Sequence, residues 1–472
     1  MNSPTRFESA NEAFLLDYPG YHSTQSLDTL RAREYSRLDA ANHTYLDYTG
    51  GGLYAISQVW AHHDLLANSV FGNPHSSNPT SMAMTKLVEQ ARQYVAHFFK
   101  ASPEEYAVIF TPNASAALKL VGEAYPFEPG DQYLLTFDNH NSVNGIREFA
   151  RARGATTTYV PVDLPDMRVD EAQLLENLDK TRTGGHNLFA YPAQSNFSGV
   201  QHSLEWIAQA QARGWDVLLD AAAFVATNCL DLSRWHPDFV PLSFYKMFGY
   251  PTGVGCLLAR REALARLCRP WFAGGTITVA SVQGDRHYLA EGEAAFEDGT
   301  PNYLNLPAVE IGLRHLETIG LQTIHERVHY LLSWLLNSLL TLRHKNNQPL
   351  VSLYGPIETK QHGGTLTMNF YRADGTLIDH RVIEQQANKA NISLRTGCFC
   401  NPGGGEIALG LSAGELTACF RQPTHQSRLT IDDFRLCIDG KSSGAVRVSL
   451  GLVSNFADVY RFVQFSQSLL NQ

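Results

Sequence analysis

Between Tyr45 and about Leu258, short apolar runs alternate with longer stretches in which apolar residues return every three or four positions. The short runs are Tyr106 to Phe110, Gln132 to Phe137, Leu188 to Tyr191, Trp215 to Asp220 and Phe239 to Phe244. A strand is apolar almost throughout only when both of its faces are covered, so this alternation predicts an α/β fold with a mostly parallel sheet flanked by helices. The clearest helix starts at Ser81, where Met84, Leu87, Val88, Ala91, Tyr94, Val95 and Phe98 make a stripe at helical spacing. That stripe is core rather than chemistry. A helix-rich stretch near Ala308 to Leu342 leads into a second set of strands: Leu350 to Tyr354, Thr365 to Tyr371, Ile392 to Leu394 and Ala445 to Ser449. Leu377 to Lys389 reads as one helix on that smaller α+β sheet, with Asn346-Asn347-Gln348-Pro349 and Gly403-Gly404-Gly405 as loops.

The 472 residues exceed what one core holds, so more than one domain is expected. Hydrophobic content of 44% and charged content of 18% suit a folded chain. A net charge of −9 without a basic run argues against a nucleic-acid partner. Met1 to Glu12 is polar and no apolar stretch approaches the ~20 residues of a span, so neither a secretory leader nor a membrane segment is expected. Seven cysteines, an odd number in no framework spacing, fit a reducing compartment and predict a cytoplasmic protein.

The residue that changes the picture is Lys246, which follows the Phe239 to Phe244 run and precedes a Gly/Pro-rich turn. Its amine is expected at a strand's carboxyl end, where open α/β sheets place ligands. Asp220 closes the Trp215 run and is followed by Ala221, Ala222 and Ala223. An amine for a Schiff base and a carboxylate for a pyridine nitrogen are the pair that pyridoxal phosphate (PLP) chemistry needs. Taken singly, each is more often a surface charge or a cap. The set carries the reading. Thr111-Pro112-Asn113-Ala114-Ser115 leads from a strand into a helix and offers N–H groups to a phosphate; His140 follows the Gln132 run and suits ring stacking and proton transfer; Asn196 offers an amide to the cofactor's phenolic oxygen.

With Gly72-Asn73-Pro74-His75-Ser76, Pro192-Ala193-Gln194-Ser195-Asn196-Phe197-Ser198-Gly199, Leu218-Leu219-Asp220-Ala221-Ala222-Ala223, Phe296-Glu297-Asp298-Gly299-Thr300 and Leu394-Arg395-Thr396-Gly397-Cys398-Phe399-Cys400-Asn401, the chain resembles the class V aminotransferase family. Within it the resemblance is to the amino-terminal, cysteine desulfurase-like domain of molybdenum cofactor sulfurases. The resemblance implies the PLP-dependent transferase type I fold, with a large PLP-binding domain at 45–310 and a small domain made of 1–44 and 311–472. It also implies Lys246 as the Schiff-base lysine, Asp220 as the partner of the ring nitrogen and His140 stacked on the ring. Ala114, Ser115 and Ser243 are implied as the phosphate cradle, with Ala222 and Tyr245 in the same cofactor set. Thr300 is implied to reach the phosphate of a second copy, which makes a homodimer with shared sites. Two positions depart from many desulfurases and match the sulfurase subgroup: Tyr245 in place of His, and Ala223 in place of Gln.

Cys398-Phe399-Cys400, between Gly397 and Gly403-Gly404-Gly405, reads as a mobile loop that carries a thiol to the cofactor. The resemblance puts the sulfur-accepting nucleophile at Cys400, with Cys398 as the other candidate. It puts the substrate-carboxylate clamp at Arg447, with Arg395 and Asn73 beside it. A bidentate guanidinium suits a carboxylate. A zinc site of Cys398, Cys400, Cys419 and Cys437 is the competing reading, disfavoured by its spacing, and no metal is expected. Cys229, Cys256 and Cys268 lie in or beside apolar runs and read as buried hydrophobes. The expected activity is removal of sulfur from L-cysteine through an enzyme persulfide, with alanine as co-product and a separate acceptor. A PLP enzyme acting on another amino acid and a non-enzymatic sulfur carrier are the alternatives. The molybdenum-accepting domain of the sulfurases is not expected, because the chain ends at Gln472, shortly after Arg447.

Overall fold

Seven strands build the large sheet of the computed structural model, which describes residues 5–74, 76–182, 184–422, 428–438 and 444–472, leaving His75 outside. They are β1 (Tyr106–Thr111), β2 (Gln132–Thr136), β3 (Thr156–Val160), β4 (Asn187–Pro192), β5 (Trp215–Asp220), β6 (Phe239–Ser243) and β7 (Gly255–Arg260), in the spatial order β1-β7-β6-β5-β4-β2-β3. All run parallel except β7, which is antiparallel to both of its neighbours. Successive side chains point to opposite faces, and the sheet divides accordingly. Ile109, Leu135, Leu188, Leu218 and Leu257 join one apolar core, while Val108, Leu134, Phe189, Val217 and Leu258 join the other.

The Met84 stripe lies on α1 (Pro79–Phe98), whose cap is Asn78, accepting from the Ser81 N–H. Met84, Val88, Ala91, Tyr94 and Val95 are buried, and Leu87 and Phe98 flank them half-buried. On the other core, α2 (Ala114–Ala124) buries Ala117, Leu118, Val121 and Ala124. The short α3 (Phe244–Phe248) continues directly from β6, and the helix-rich stretch forms α4 (Leu306–Ile319) and α5 (Leu321–Leu340). Gly320, at φ +86°, allows the break between them.

The small sheet is antiparallel, in the order β8 (Val351–Tyr354), β9 (Thr365–Tyr371), β11 (Ala445–Ser449), β10 (Arg395–Gly397), with Leu377–Ile378 paired to β9. Amino-terminal helices pack against the carboxyl-terminal half. Arg31 reaches Asp458 at 2.5 Å, and the fully buried Arg327 reaches Asp28 at 2.8 Å.

Several local expectations change. Ile392–Ser393 pairs in parallel with Thr44–Tyr45 instead of joining the small sheet. The helix expected from Leu377 begins at His380, after Leu377–Ile378 has paired as a strand, and runs to Lys389 as α6. Gly403-Gly404-Gly405 is helical, in α7 (Pro402–Ala408), because Asn401 caps it through the Gly404 N–H and Pro402 pre-sets its first turn. Its glycines serve packing: a Cβ at Gly403 would lie 2.0 Å from the Phe137 carbonyl oxygen. Cys419 and Cys437 form a disulfide, so they join no site with Cys398 and Cys400, which are free. Among the described residues no three His, Cys, Asp or Glu side chains gather to hold a metal. Cys256 is buried as expected, but Cys229 and Cys268 are exposed, each in an irregular stretch outside helix, strand and turn. No helix among the described residues is long and apolar enough to cross a membrane.

Candidate active site

Five parallel strands end on one edge of the large sheet, and each delivers a polar group at or just past its last residue. Beyond β1 stand Asn113, Ala114 and Ser115; beyond β2, His140; beyond β4, Asn196; at the end of β5, Asp220; at the end of β6, Ser243 and then Lys246. The register places Pro192 opposite Asp220, and Gly255 opposite both Ser243 and Thr111, so these ends are level. Lys246, Asp220, Ala222, His140, Asn196, Ala114, Ser115, Ser243 and Tyr245 line one cavity of about 280 Å3. That is close to the small end of ligand cavities, roughly 300–1,000 Å3.

Geometry within the cavity suits a phosphorylated pyridine. The α2 amino terminus opens into it; the Ala114 N–H donates to Ser243 Oγ at 2.8 Å, and Asn113 Oδ1 accepts from the Ala116 N–H. Ser115 Oγ lies 2.6 Å from Ser142 Oγ. Close approach here depends on Gly255, where a Cβ would come within 2.7 Å of Asn113 Cα. Asp220 is buried and accepts the Ala222 N–H at Oδ1, which orients its carboxylate. Burial pushes the Lys246 ammonium below its ordinary pKa, against the pull of Asp220, and so favours the neutral amine. His140 is also lowered, first by burial and further by Lys246 and Arg447, while Asp220 opposes. Its Nδ1 accepts the Ser142 N–H at 3.1 Å, so the neutral ring carries its proton on Nε2. Burial raises the Tyr245 phenol.

Beside the cavity lies a charge cluster that joins both sheets. Arg447 on β11 is buried; its Nη2 reaches Asp47 Oδ1 at 3.0 Å and its Nη1 donates to the Asn196 carbonyl at 3.0 Å. Arg395, opposite it on β10, binds Asp47 Oδ2 through Nε at 3.0 Å and Nη2 at 2.5 Å. Two guanidiniums thus share one carboxylate, and the cluster keeps an excess positive charge. Arg447 Nε is buried without a hydrogen-bond partner among the described residues, an orphan donor suited to an incoming anion. Burial lowers Arg447 and Asp47 counters it.

Cys400 is exposed and lies within electrostatic reach of Lys246 and of Arg447, since its thiolate favours the charged form of each. Its loop is tied down rather than loose. Asn196 Nδ2 donates to the Phe399 carbonyl at 2.7 Å, the Asn141 N–H to the Cys400 carbonyl at 2.6 Å, and Asn401 Nδ2 to the Asp138 carbonyl at 2.6 Å. The Asn196 amide, expected at the cofactor and lining the cavity, also meets the thiol loop.

Thr300 and Asn73 lie elsewhere. Asn73 Nδ2 donates to Thr300 Oγ1 at 3.3 Å, and Thr300 lines a separate cavity of about 390 Å3. Thr111 and Pro112 line that second cavity while Asn113 and Ala114 line the first, so the β1–α2 turn stands between them. Asp47, Asn401 and Asp138 escaped the sequence reading. Asp47 had a usable signal: it follows Tyr45-Leu46 and stands three residues before Gly50-Gly51-Gly52.

Comparison with known proteins bears on the family and the fold. The family model for class V aminotransferases matches residues 44–462. A molybdenum cofactor sulfurase of Solanum lycopersicum is 38% identical over 98% of this chain and 60% of its own length, and that of Homo sapiens 37% identical over 93% and 51%. The chain thus spans little more than half the length of these relatives. Among solved structures, a cysteine desulfurase from Thermococcus onnurineus NA1 superposes with a TM-score of 0.76 at 24% identity, covering 94% of this chain and 98% of that one. The cysteine desulfurase CsdA from Escherichia coli gives 0.72 at 20%, covering 94% and 99%. These likenesses show the type I fold of PLP-dependent enzymes. The chain belongs to the class V aminotransferase family, enzymes whose cofactor is pyridoxal phosphate.

Proposed function

We propose that this protein takes sulfur from L-cysteine as a persulfide on Cys400, releases alanine, and passes the sulfur to a separate acceptor. The observation that carries this reading is the position of Cys400, exposed yet in electrostatic reach of both Lys246 and the buried Arg447. Bound PLP supplies an electron sink for the bonds of the amino acid. Lys246, whose charged form is disfavoured by burial, would provide the amine that holds the cofactor. Asp220 would face the ring nitrogen and favour its protonated form. Ser243, Ser115 and the α2 amino terminus bind the phosphate, with the Tyr245 hydroxyl as a further donor. His140 moves a proton at Nε2.

Arg447, oriented by Asp47 and the Asn196 carbonyl, binds the substrate carboxylate with its remaining donors; Arg395 holds Asp47 from the other side. The Cys400 thiolate then forms a bond to the substrate's sulfur as the carbon–sulfur bond breaks. The electron pair of that bond stays with the carbon, which takes up a proton to become alanine. A thiolate near cations is the reactive form. Thr300, outside the cavity of its own chain, is read as serving a second copy in a homodimer. A molybdenum cofactor is one candidate acceptor, a reading supported by the names of the relatives.

The PLP-loaded protein with L-cysteine and a reductant should release alanine and sulfide in equal amounts. Cys400→Ala should keep the visible cofactor band and lose sulfide release by about two orders of magnitude or more. A Cys398→Ala/Cys400→Ala double variant with undiminished turnover would overturn the reading in favour of chemistry on another amino acid.

A further inference from the structure

Phe399 is the middle residue of Cys398-Phe399-Cys400 and the only one of the three that is buried. Its φ is +56° and that of Cys400 is +55°, two successive left-handed conformations without a glycine. A bulky residue adopts that region only where surrounding contacts impose it. The contacts are present. The Phe399 ring lies 5.3 Å from that of Phe197, and Arg447 Cζ sits 4.8 Å from its centroid. Its carbonyl accepts from Asn196, whose own carbonyl accepts from Arg447. The thiol loop is therefore seated on the side chain that faces the substrate, through two routes that meet at Arg447.

We propose that Phe399 is a positioning residue that ties the position of Cys400 to the occupancy of Arg447. Attraction between a guanidinium and a ring face comes from the cation's charge. Asp47 already offsets part of that charge; a substrate carboxylate on Arg447 offsets more of it and weakens the seat of Phe399. The left-handed pair then relaxes, and Cys400 gains freedom to travel at the moment an amino acid fills the clamp. Without substrate the loop stays docked over Arg447. This deepens the proposed function and rests on Arg447 as the carboxylate site.

The test is hydrogen exchange of the peptide spanning residues 396–404 in the PLP-loaded protein, with and without L-alanine. The visible absorbance of the same sample reports whether alanine binds. Alanine is expected to speed exchange in that peptide by about five- to thirtyfold, the scale of one desolvated cation–ring contact. Phe399→Leu keeps apolar bulk without a ring face and is expected to exchange at the faster rate whether alanine is present or not. Phe399→Tyr, which keeps the face, should restore both the slower rate and the response. No absorbance change with alanine overturns the clamp and the coupling together. An absorbance change with unchanged or slower exchange, or a Leu variant that keeps the full response, overturns the coupling alone.

Discussion

Asp216 and Asp220 stand four positions apart on β5, at opposite ends of the same strand, and their surroundings differ in kind. At the amino edge, Asp216 accepts from the Tyr125 hydroxyl at 2.8 Å and pairs with Arg266 at 2.5 Å. Its neighbour Asp238 accepts the Val217 N–H at 2.8 Å and Gln211 at 3.0 Å, with Arg260 at 3.4 Å. At the carboxyl edge, Asp220 accepts a single backbone N–H, and Lys246 Nζ makes no hydrogen bond or ion pair with any described residue. One edge closes its charges on each other; the other leaves them open to a ligand. A buried polar group without partners is costly, so this imbalance persists only where something else completes the set.

Filling or breaking the open edge should therefore cost function, and the largest effect falls on the amine itself. Lys246→Ala removes the amine proposed to hold the cofactor, and the purified variant is expected to lack the visible band and all amino-acid turnover. A band of ordinary intensity in that variant would mean that the open edge is not the cofactor site. Arg447→Lys is the next largest. Lysine keeps the charge but loses the fork that meets a carboxylate with two parallel bonds, and it cannot serve Asp47 and the Asn196 carbonyl together. The cofactor band should remain, and KM for cysteine should rise about ten- to a hundredfold with a smaller loss in kcat. A loss confined to kcat would place Arg447 outside substrate binding.

Both edges were unequally legible in the sequence. Groups lining the cavity could be read because each lies at or within a few residues of the end of an apolar run, and strands such as Trp215–Asp220, Thr365–Tyr371 and Ala445–Ser449 begin and end where their patterns do. Local signals sufficed there. The Arg395–Asp47–Arg447 cluster was not legible as a unit, because Asp47 lies some 350 to 400 residues from its partners and only tertiary packing joins them. Gly403-Gly404-Gly405 misled for the opposite reason: three glycines disfavour a helix locally, but the Asn401 cap and the close approach to Phe137 outweigh that preference. The direction of β7 is likewise set by which neighbours it joins, which periodicity does not encode. The amino-edge cluster carried no motif at all.

That closed edge supplies the smallest effect and the sharpest control. Burial and the nearby Asp216 charge push the Asp238 carboxyl up to about 6, while Gln211, the Val217 N–H and Arg260 pull the other way. An unfolded carboxyl titrates near 3.9. Because the folded value stands above the unfolded one, the folded state holds the proton more tightly; its stabilising effect is complete below about pH 4 and is lost as pH rises through about 6. Roughly two pKa units correspond to about 3 kcal/mol as an upper bound. Asn in place of Asp238 keeps an oxygen for the Val217 and Gln211 donors and has nothing to titrate. Urea unfolding at pH 4 and pH 7 should then show the parent losing about 1–3 kcal/mol more than Asp238→Asn across that interval. Cysteine turnover at pH 7 should be unaltered, since the site lies at the far end of β5 and β6. Parallel stability profiles for the two proteins would show that the amino edge satisfies its acids as fully as solvent does, and that the contrast between the edges lies in Lys246 and Asp220 alone.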